Sequence, residues 1–288
     1  MINYNSPSAL KAFLEQEGLG MRKKFGQNFL INPQTRKTLI KALDAKTGDE
    51  IWEVGPGLGA MTKELLDKGL IVKAFEIDSG FIRVLKSLFS QENNFILIEG
   101  DVLKTWKNQS PPPFLLGNLP YNLAAVLLAG LIEKGCIFSR MVVTVQKETA
   151  LRMSASAGSP DYSSFSVLCS SVYNVTPLLL IKRESFFPQP NVDSMGVLFE
   201  SKSAPVYPEV FYPLVRSLFS ARRKTVKNNL LSFISSCNGN LPQAQELCSA
   251  VLRESAVNEK ERAENLDIDV FISLAKSVDN MRLWKQGC

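Results

Sequence analysis

Glu53-Val-Gly-Pro-Gly-Leu-Gly59 is the stretch on which the fold turns. An apolar run over 51–55 feeds into three glycines at alternate positions and then into a helical pattern over 60–68. Glycine accepts the positive φ of a sharp strand-to-helix turn and lets the backbone come close to a ligand. Working outward, further short apolar runs at 71–77, 95–98, 114–117 and 141–145 alternate with helical patterns, among them 79–89 and a very apolar 123–135 that should be buried. Strands separated by helices predict βαβ units and a mostly parallel sheet, an α/β fold of Rossmann-like type. Upstream, Asn32 and Pro33 mark a helix start as cap and first residue.

Downstream, 172–183 and 195–200 read as strands joined by a proline-containing segment, 186–190, and predict an antiparallel pair at one sheet edge. Two prolines and small polar residues in 201–208 place a boundary near 204. Residues 1–204 are then the α/β domain with a basic helical N-terminal segment, and 205–288 a small all-helical domain.

The 288 residues are 45% apolar, enough for a sizeable core. There is no histidine, which excludes serine-histidine and cysteine-histidine catalysis and leaves little from which to build a zinc site. The five cysteines show no CxxC pair and read as reduced thiols, so no metal is expected. Apolar runs fall well short of the roughly 20 residues a bilayer span needs, and the start lacks the pattern of a secretory leader. A cytoplasmic protein without membrane contact is expected.

Net charge is +5, and its distribution matters more than its size. Eight Lys or Arg, including Arg22, Lys23 and Lys24, lie between Lys11 and Lys46 against three acids. A second cluster, Arg216, Arg222, Arg223, Lys224 and Lys227, contains no acid. Two such surfaces suit a phosphate backbone, although solvated helix faces carry charge of the same kind.

The residues at the strand ends describe a pocket for adenosine. Gly55 and Gly57 form the turn, and Glu76 follows Gly55 by 21 residues at the end of the second run, where a carboxylate can accept from both ribose hydroxyls. Asp101 ends the third and can accept from an adenine amino group. A pyrophosphate would want GxGxxG, whereas this loop is GxGxG with Glu53 before it. A negative charge there repels pyrophosphate and tolerates the sulfonium and amino group of S-adenosylmethionine, which is the cofactor expected.

Asn118-Leu119-Pro120-Tyr121 closes the fourth run. Taken alone it is a proline turn, but beside an adenosine pocket it has a use. Adenine's exocyclic nitrogen is a poor nucleophile because its lone pair is delocalised into the ring. If the Asn118 side-chain oxygen and the Leu119 carbonyl accept its two N–H groups, a pyramidal nitrogen with a directed lone pair is favoured. Pro120 fixes the local backbone and Tyr121 stacks on an extruded base.

With these motifs in order, the chain resembles the KsgA family of ribosomal RNA small subunit adenine dimethyltransferases. The resemblance extends through Lys24-Phe-Gly-Gln-Asn-Phe-Leu30, Gly100-Asp-Val102, Phe186-Phe-Pro-Gln-Pro-Asn-Val-Asp-Ser194 and Phe219-Ser-Ala-Arg-Arg-Lys224. Departures are small: Asn32 stands where the family often has aspartate, and Met61 where it often has leucine. The resemblance implies an S-adenosylmethionine-dependent methyltransferase core whose donor site is lined by Asn28, Leu30, Gly55, Glu76, Asp101 and Asn118. It implies that Phe186 closes on the target base opposite Tyr121, and that Phe187 is core. It further implies dimethylation of two adjacent adenines in a hairpin loop near the 3′ end of 16S rRNA, in an assembling 30S particle, by a monomer whose Arg222-Arg223-Lys224 cluster grips RNA. Two other readings remain: a macrolide-resistance type enzyme acting on large-subunit RNA, and a non-catalytic assembly factor on the same fold. Leu58 and the Arg-Arg-Lys motif speak against the first, the intact tetrad and both acids against the second.

Overall fold

The computed structural model describes residues 2–19, 28–120, 123–203, 207–238 and 241–284. In chain order the first unit contains α1 (Pro7–Gln16), β1 (Phe29–Leu30), α2 (Pro33–Ala42), β2 (Glu50–Val54), α3 (Ala60–Leu66), β3 (Ile71–Glu76), α4 (Ser79–Leu88), β4 (Phe95–Glu99), α5 (Val102–Thr105), β5 (Phe114–Asn118), α6 (Ala124–Glu133) and β6 (Arg140–Gln146). Then come α7 (Lys147–Met153), α8 (Ser164–Val172), β7 (Tyr173–Ile181), β8 (Phe186–Phe187) and β9 (Ser194–Ser201). The helices α9 (Phe211–Leu218), α10 (Val226–Asn238), α11 (Leu241–Glu254) and α12 (Ile268–Asn280) complete the described chain.

Seven strands form one sheet in the order β4-β3-β2-β5-β6-β9-β7. The five strands from β4 to β6 are parallel, and β9 runs antiparallel to both β6 and β7. The antiparallel pair expected at one edge is therefore present with a difference: β9 is inserted inside β7, which alone forms the edge. The composition explains the insertion, since in β9 Val197, Leu198 and Phe199 are buried and suit a strand covered on both sides, whereas β7 carries Pro177 and the exposed Leu180, tolerable at an edge.

Local signals account for the helices that carry the site. Asn32 accepts from Thr35 N at 3.0 Å with Pro33 in the first turn, as its sequence pattern predicts. Asp78 caps α4 through Gly80 N and Phe81 N, and Asp101 caps α5 through Leu103 N. Beneath the sheet's centre Trp52 packs edge-on against Phe75 and Phe138, at ring separations of 4.9 and 5.4 Å. Burying each such side chain contributes roughly 1.5–3 kcal/mol.

The second unit comprises Arg152–Val172 and Lys202–Cys288. This corrects the simple division at 204: Tyr162 and Val167 belong to the helical core with Val210, Leu214, Leu230 and Phe271. The Tyr162 hydroxyl donates to Leu266 O at 3.0 Å, so the excursion between α7 and β7 is part of the helical unit. Among the described residues no helix is long and apolar enough to cross a membrane.

Candidate active site

From β2 the sheet grows in opposite directions, to β3 on one side and β5 on the other, which opens a crevice at the carboxyl ends of these strands. A cavity of about 350 Å³ occupies it, with Asn28, Leu30, Gly55, Gly57, Glu76, Asp101, Asn118, Leu119, Pro120 and Phe186 all in its wall. Every donor-site residue expected from the sequence is thus brought together.

The glycine loop is shaped by backbone need. Gly55 has φ +74° and its N–H donates to Phe75 O at 3.1 Å, while Gly57 has φ +57°. A Cβ at Gly57 would lie 3.1 Å from the Phe29 ring, so glycine lets β1 lie close on the loop.

Glu76 is held by its own turn: Oε1 accepts from Ile77 N at 2.9 Å and Asp78 N at 2.8 Å, and Oε2 accepts from Gly57 N at 3.3 Å. It is 7% exposed, and burial pushes its carboxyl up to about 7 against the pull of those three N–H groups. Glu53 is where the reading from sequence needs correction. It does not line the cavity; it is fully buried behind the loop, where Thr62 Oγ1 donates to its Oε2 at 2.6 Å. Its Oε1 has no partner among the described residues, and burial pushes the group up to about 7.

At the end of β5 the Asn118 side-chain nitrogen donates to Asn28 O at 2.9 Å. The amide oxygen is left as an acceptor without a donor among the described residues. The Leu119 N–H is used by Thr144 O at 3.1 Å, and no described residue donates to the Leu119 carbonyl. Pro120 O accepts from Leu123 N and Ala124 N, which anchors the turn to the start of α6. Tyr121 lies outside the described residues. Phe186 is 3% exposed and pairs with Leu30 in the two-stranded β1–β8 ribbon, which carries it into the cavity wall; Phe187 opposite Phe29 packs in the adjoining apolar cluster.

Three contributions do not follow from the sequence reading. Ile77, 45% exposed, joins Val102 and Leu103 as an apolar wall beside the two acids; an apolar residue directly after a strand-end acid is the available signal. Tyr4 also lines the cavity, and its hydroxyl donates to Leu58 O at 3.0 Å, docking the N-terminal segment onto the glycine loop. Arg36 reaches the cavity from α2, and nothing in its local pattern distinguishes it from a solvated helix arginine.

The basic clusters fare differently. Arg22, Lys23 and Lys24 lie outside the described residues. Arg222, Arg223 and Lys224 are exposed on the turn between α9 and α10, not within a helix. Arg222 is committed to Glu264 at 3.0 Å and to Pro160 O at 3.2 Å, whereas the side chains of Arg223 and Lys224 have no ion-pair partner among the described residues.

A parallel sheet reversing at β2, with a glycine turn, two acids and an asparagine at successive strand ends, defines a Rossmann-like methyltransferase core. The same fold is found in a dimethyladenosine transferase from Plasmodium falciparum, with a TM-score of 0.73 and 29% identity over 86% of this chain and 96% of that one. The 23S rRNA methyltransferase ErmE shares it at a TM-score of 0.63 and 19% identity over 87% and 99% of the two chains.

The chain belongs to the ribosomal RNA adenine dimethylase family, which matches residues 18–279. Similar relatives are the ribosomal RNA small subunit methyltransferase A of Treponema denticola, 45% identical with 97% of each chain covered, and that of Treponema pallidum, 43% identical over 96% of this chain and 97% of the relative.

Proposed function

We propose that this protein uses S-adenosylmethionine to dimethylate the N6 amines of two adjacent adenines in the hairpin loop near the 3′ end of 16S rRNA, within an assembling 30S particle. The observation that carries the reading is the engagement of Asn118 by Asn28, which commits the amide nitrogen and leaves two oxygens, Asn118 Oδ1 and Leu119 O, as acceptors at the cavity.

The wall fits the donor. A carboxylate has about four lone-pair sites, so Glu76 keeps capacity for ribose hydroxyls beyond its three backbone donors. Asp101 spends Oδ1 on its helix cap and keeps Oδ2 for an adenine amino group, with Ile77 and Val102 as apolar faces for the ring. Bound there, S-adenosylmethionine supplies an electrophilic methyl group on a positively charged sulfur. Asn118 and Leu119 accept the two N–H groups of the target amine and hold its nitrogen pyramidal. No base is required before attack, because the nitrogen loses its proton afterwards; a chain without histidine can perform this chemistry.

Phe186 closes on one face of the extruded base and Tyr121 on the other. Aromatic stacking contributes ~1–3 kcal/mol per base, comparable with the cost of unstacking it. Bases in single-stranded loops are the ones a protein can splay out. Arg22, Lys23 and Lys24, together with Arg223 and Lys224 of the helical unit and Arg222 beside them, supply the basic groups that meet RNA phosphates. The protein acts as a monomer in the cytoplasm. The relatives at 43–45% identity carry the small-subunit name, whereas the likeness to the large-subunit enzyme, at 19% identity, is one of fold.

The test is transfer from labelled donor to small subunits lacking the modification, followed by nucleoside analysis. N6,N6-dimethyladenosine in small-subunit RNA is expected; label found only in large-subunit RNA, or nowhere, refutes the proposal.

A further inference from the structure

We propose that Arg36 receives the carboxylate of the donor's amino-acid end and so selects a ligand with an intact α-amino acid tail; this rests on the reading of the cavity as the S-adenosylmethionine site. Among the described residues lining the cavity, Arg36 is the single cation, against the acids Glu76 and Asp101.

The distribution of charge along the strand ends gives the ligand a direction. Asp101 and Glu76 follow β4 and end β3, and Asn118 ends β5 on the far side of the glycine loop. With adenosine at the acids and the methyl group at Asn118, the amino-acid tail is left toward the loop and β1. Arg36 is fixed on that side, because its Nη1 donates to Leu30 O at 2.8 Å and its Nη2 to Asn5 Oδ1 at 2.7 Å. Its Nε donates to Glu64 at 2.7 Å.

A guanidinium has five N–H groups, and these three bonds leave one on each terminal nitrogen without an acceptor among the described residues. The side chain is nevertheless 4% exposed, while Glu64 is 24% exposed. A buried cation with two spare donors at a cavity wall is poised for an anion, and the guanidinium fork matches a carboxylate in shape and charge. The three existing bonds make it rigid, so little ordering is required on binding.

The experiment compares three probes by calorimetry: S-adenosylmethionine, its decarboxylated analogue, and 5′-methylthioadenosine, which has no amino-acid tail. The wild-type protein should prefer the intact donor over the decarboxylated one by about tenfold or more, as loss of charge-assisted bonds to a carboxylate implies. Arg36→Gln should collapse that preference toward unity while leaving 5′-methylthioadenosine within about twofold of wild type. A wild-type protein indifferent to the carboxylate overturns the proposal, as does an Arg36→Gln variant that keeps the preference. Equal weakening of all three probes also overturns it, since that marks a purely structural arginine. If Arg36→Gln does not fold, Arg36→Lys keeps the charge without the fork and should lower the preference; an unchanged ratio overturns the assignment. Failure of the wild-type protein to bind any of the three instead removes the adenosine reading of the cavity, which separates the two failures.

Discussion

The side-chain nitrogen of Asn118 is bonded at 2.9 Å to the backbone carbonyl of Asn28, 90 residues earlier in the chain. This one bond ties the end of β5 to the approach to β1 and fixes which end of the amide faces a substrate. An asparagine free to flip would offer a donor as readily as an acceptor, and only the acceptor helps an amine become a nucleophile.

Asn118→Ala removes both the tie and the acceptor, so methyl transfer in single turnover should fall by about 10²–10³-fold, the size of effect seen when one positioned hydrogen-bond group is deleted from an active site. RNA affinity should stay within about twofold, because phosphate contacts elsewhere dominate it. A variant that transfers methyl at the normal rate refutes the acceptor role of Asn118.

Glu76 and Glu53 are both pushed up to about 7, chiefly by burial. For Glu76 the ionised form is the one that accepts from hydroxyls, so donor affinity should rise as pH increases through 7 and weaken below it. For stability the sign is opposite. A carboxyl raised in the folded state contributes stability fully present below its unfolded value and lost as pH rises through about 7. Melting of the unliganded protein should therefore shift down between pH 6 and pH 8, and Glu53→Gln should narrow that difference. Parallel pH profiles for wild type and Glu53→Gln would contradict the burial argument.

How much of this is legible in the sequence depends on whether the signal is local. The strands of the parallel sheet, the Asn32 cap and the strand-end residues Gly55, Glu76, Asp101 and Asn118 announce themselves within a few residues. The insertion of β9 between β6 and β7 is a choice between partners distant in sequence, and no local pattern encodes it. The same holds for Tyr162 and Val167, whose apolar character says that they are buried but not in which core. Glu53 adjoins the loop and so invites a ligand-facing reading, yet alternation along β2 turns it away toward Thr62. Arg36 escapes notice because a helix arginine is ordinarily solvated, and its burial follows from Asn5, Leu30 and Glu64 converging on it from separate elements.

The place of Tyr162 in the helical core can be tested in the intact chain. Its ring lies edge-on to Phe219 at 5.8 Å and its hydroxyl reaches Leu266 O. Tyr162→Ala should destabilise the helical unit by about 3–5 kcal/mol, as other large aromatic truncations in cores do. Tyr162→Phe should cost only about 1 kcal/mol for the missing hydrogen bond, somewhat more if the Leu266 carbonyl is left dry. Denaturant unfolding followed by hydrogen exchange in α9 and α12 reads this directly. If Tyr162→Ala leaves both helices as protected as wild type, residues 152–172 do not belong to that core.

The exposed turn after α9 divides the basic cluster by what each side chain is already doing. Arg222 is engaged by Glu264 and Pro160, so replacing it removes an internal tie, and an exposed pair of this kind contributes about 0–1 kcal/mol. Arg223 and Lys224 have no such commitment and are available to phosphates. The double variant Arg223→Ala/Lys224→Ala should lower the slope of log affinity against log salt by about 1.4–1.8, at about 0.7–0.9 for each phosphate that is no longer neutralised. Arg222→Ala should change that slope by less than the double variant does, and should lower thermal stability slightly. The measurement is small-subunit RNA binding over a salt series for the three proteins. A slope unchanged in the double variant would show that this turn does not meet the RNA backbone, and the affinity would then have to come from the N-terminal basic segment and the α/β unit.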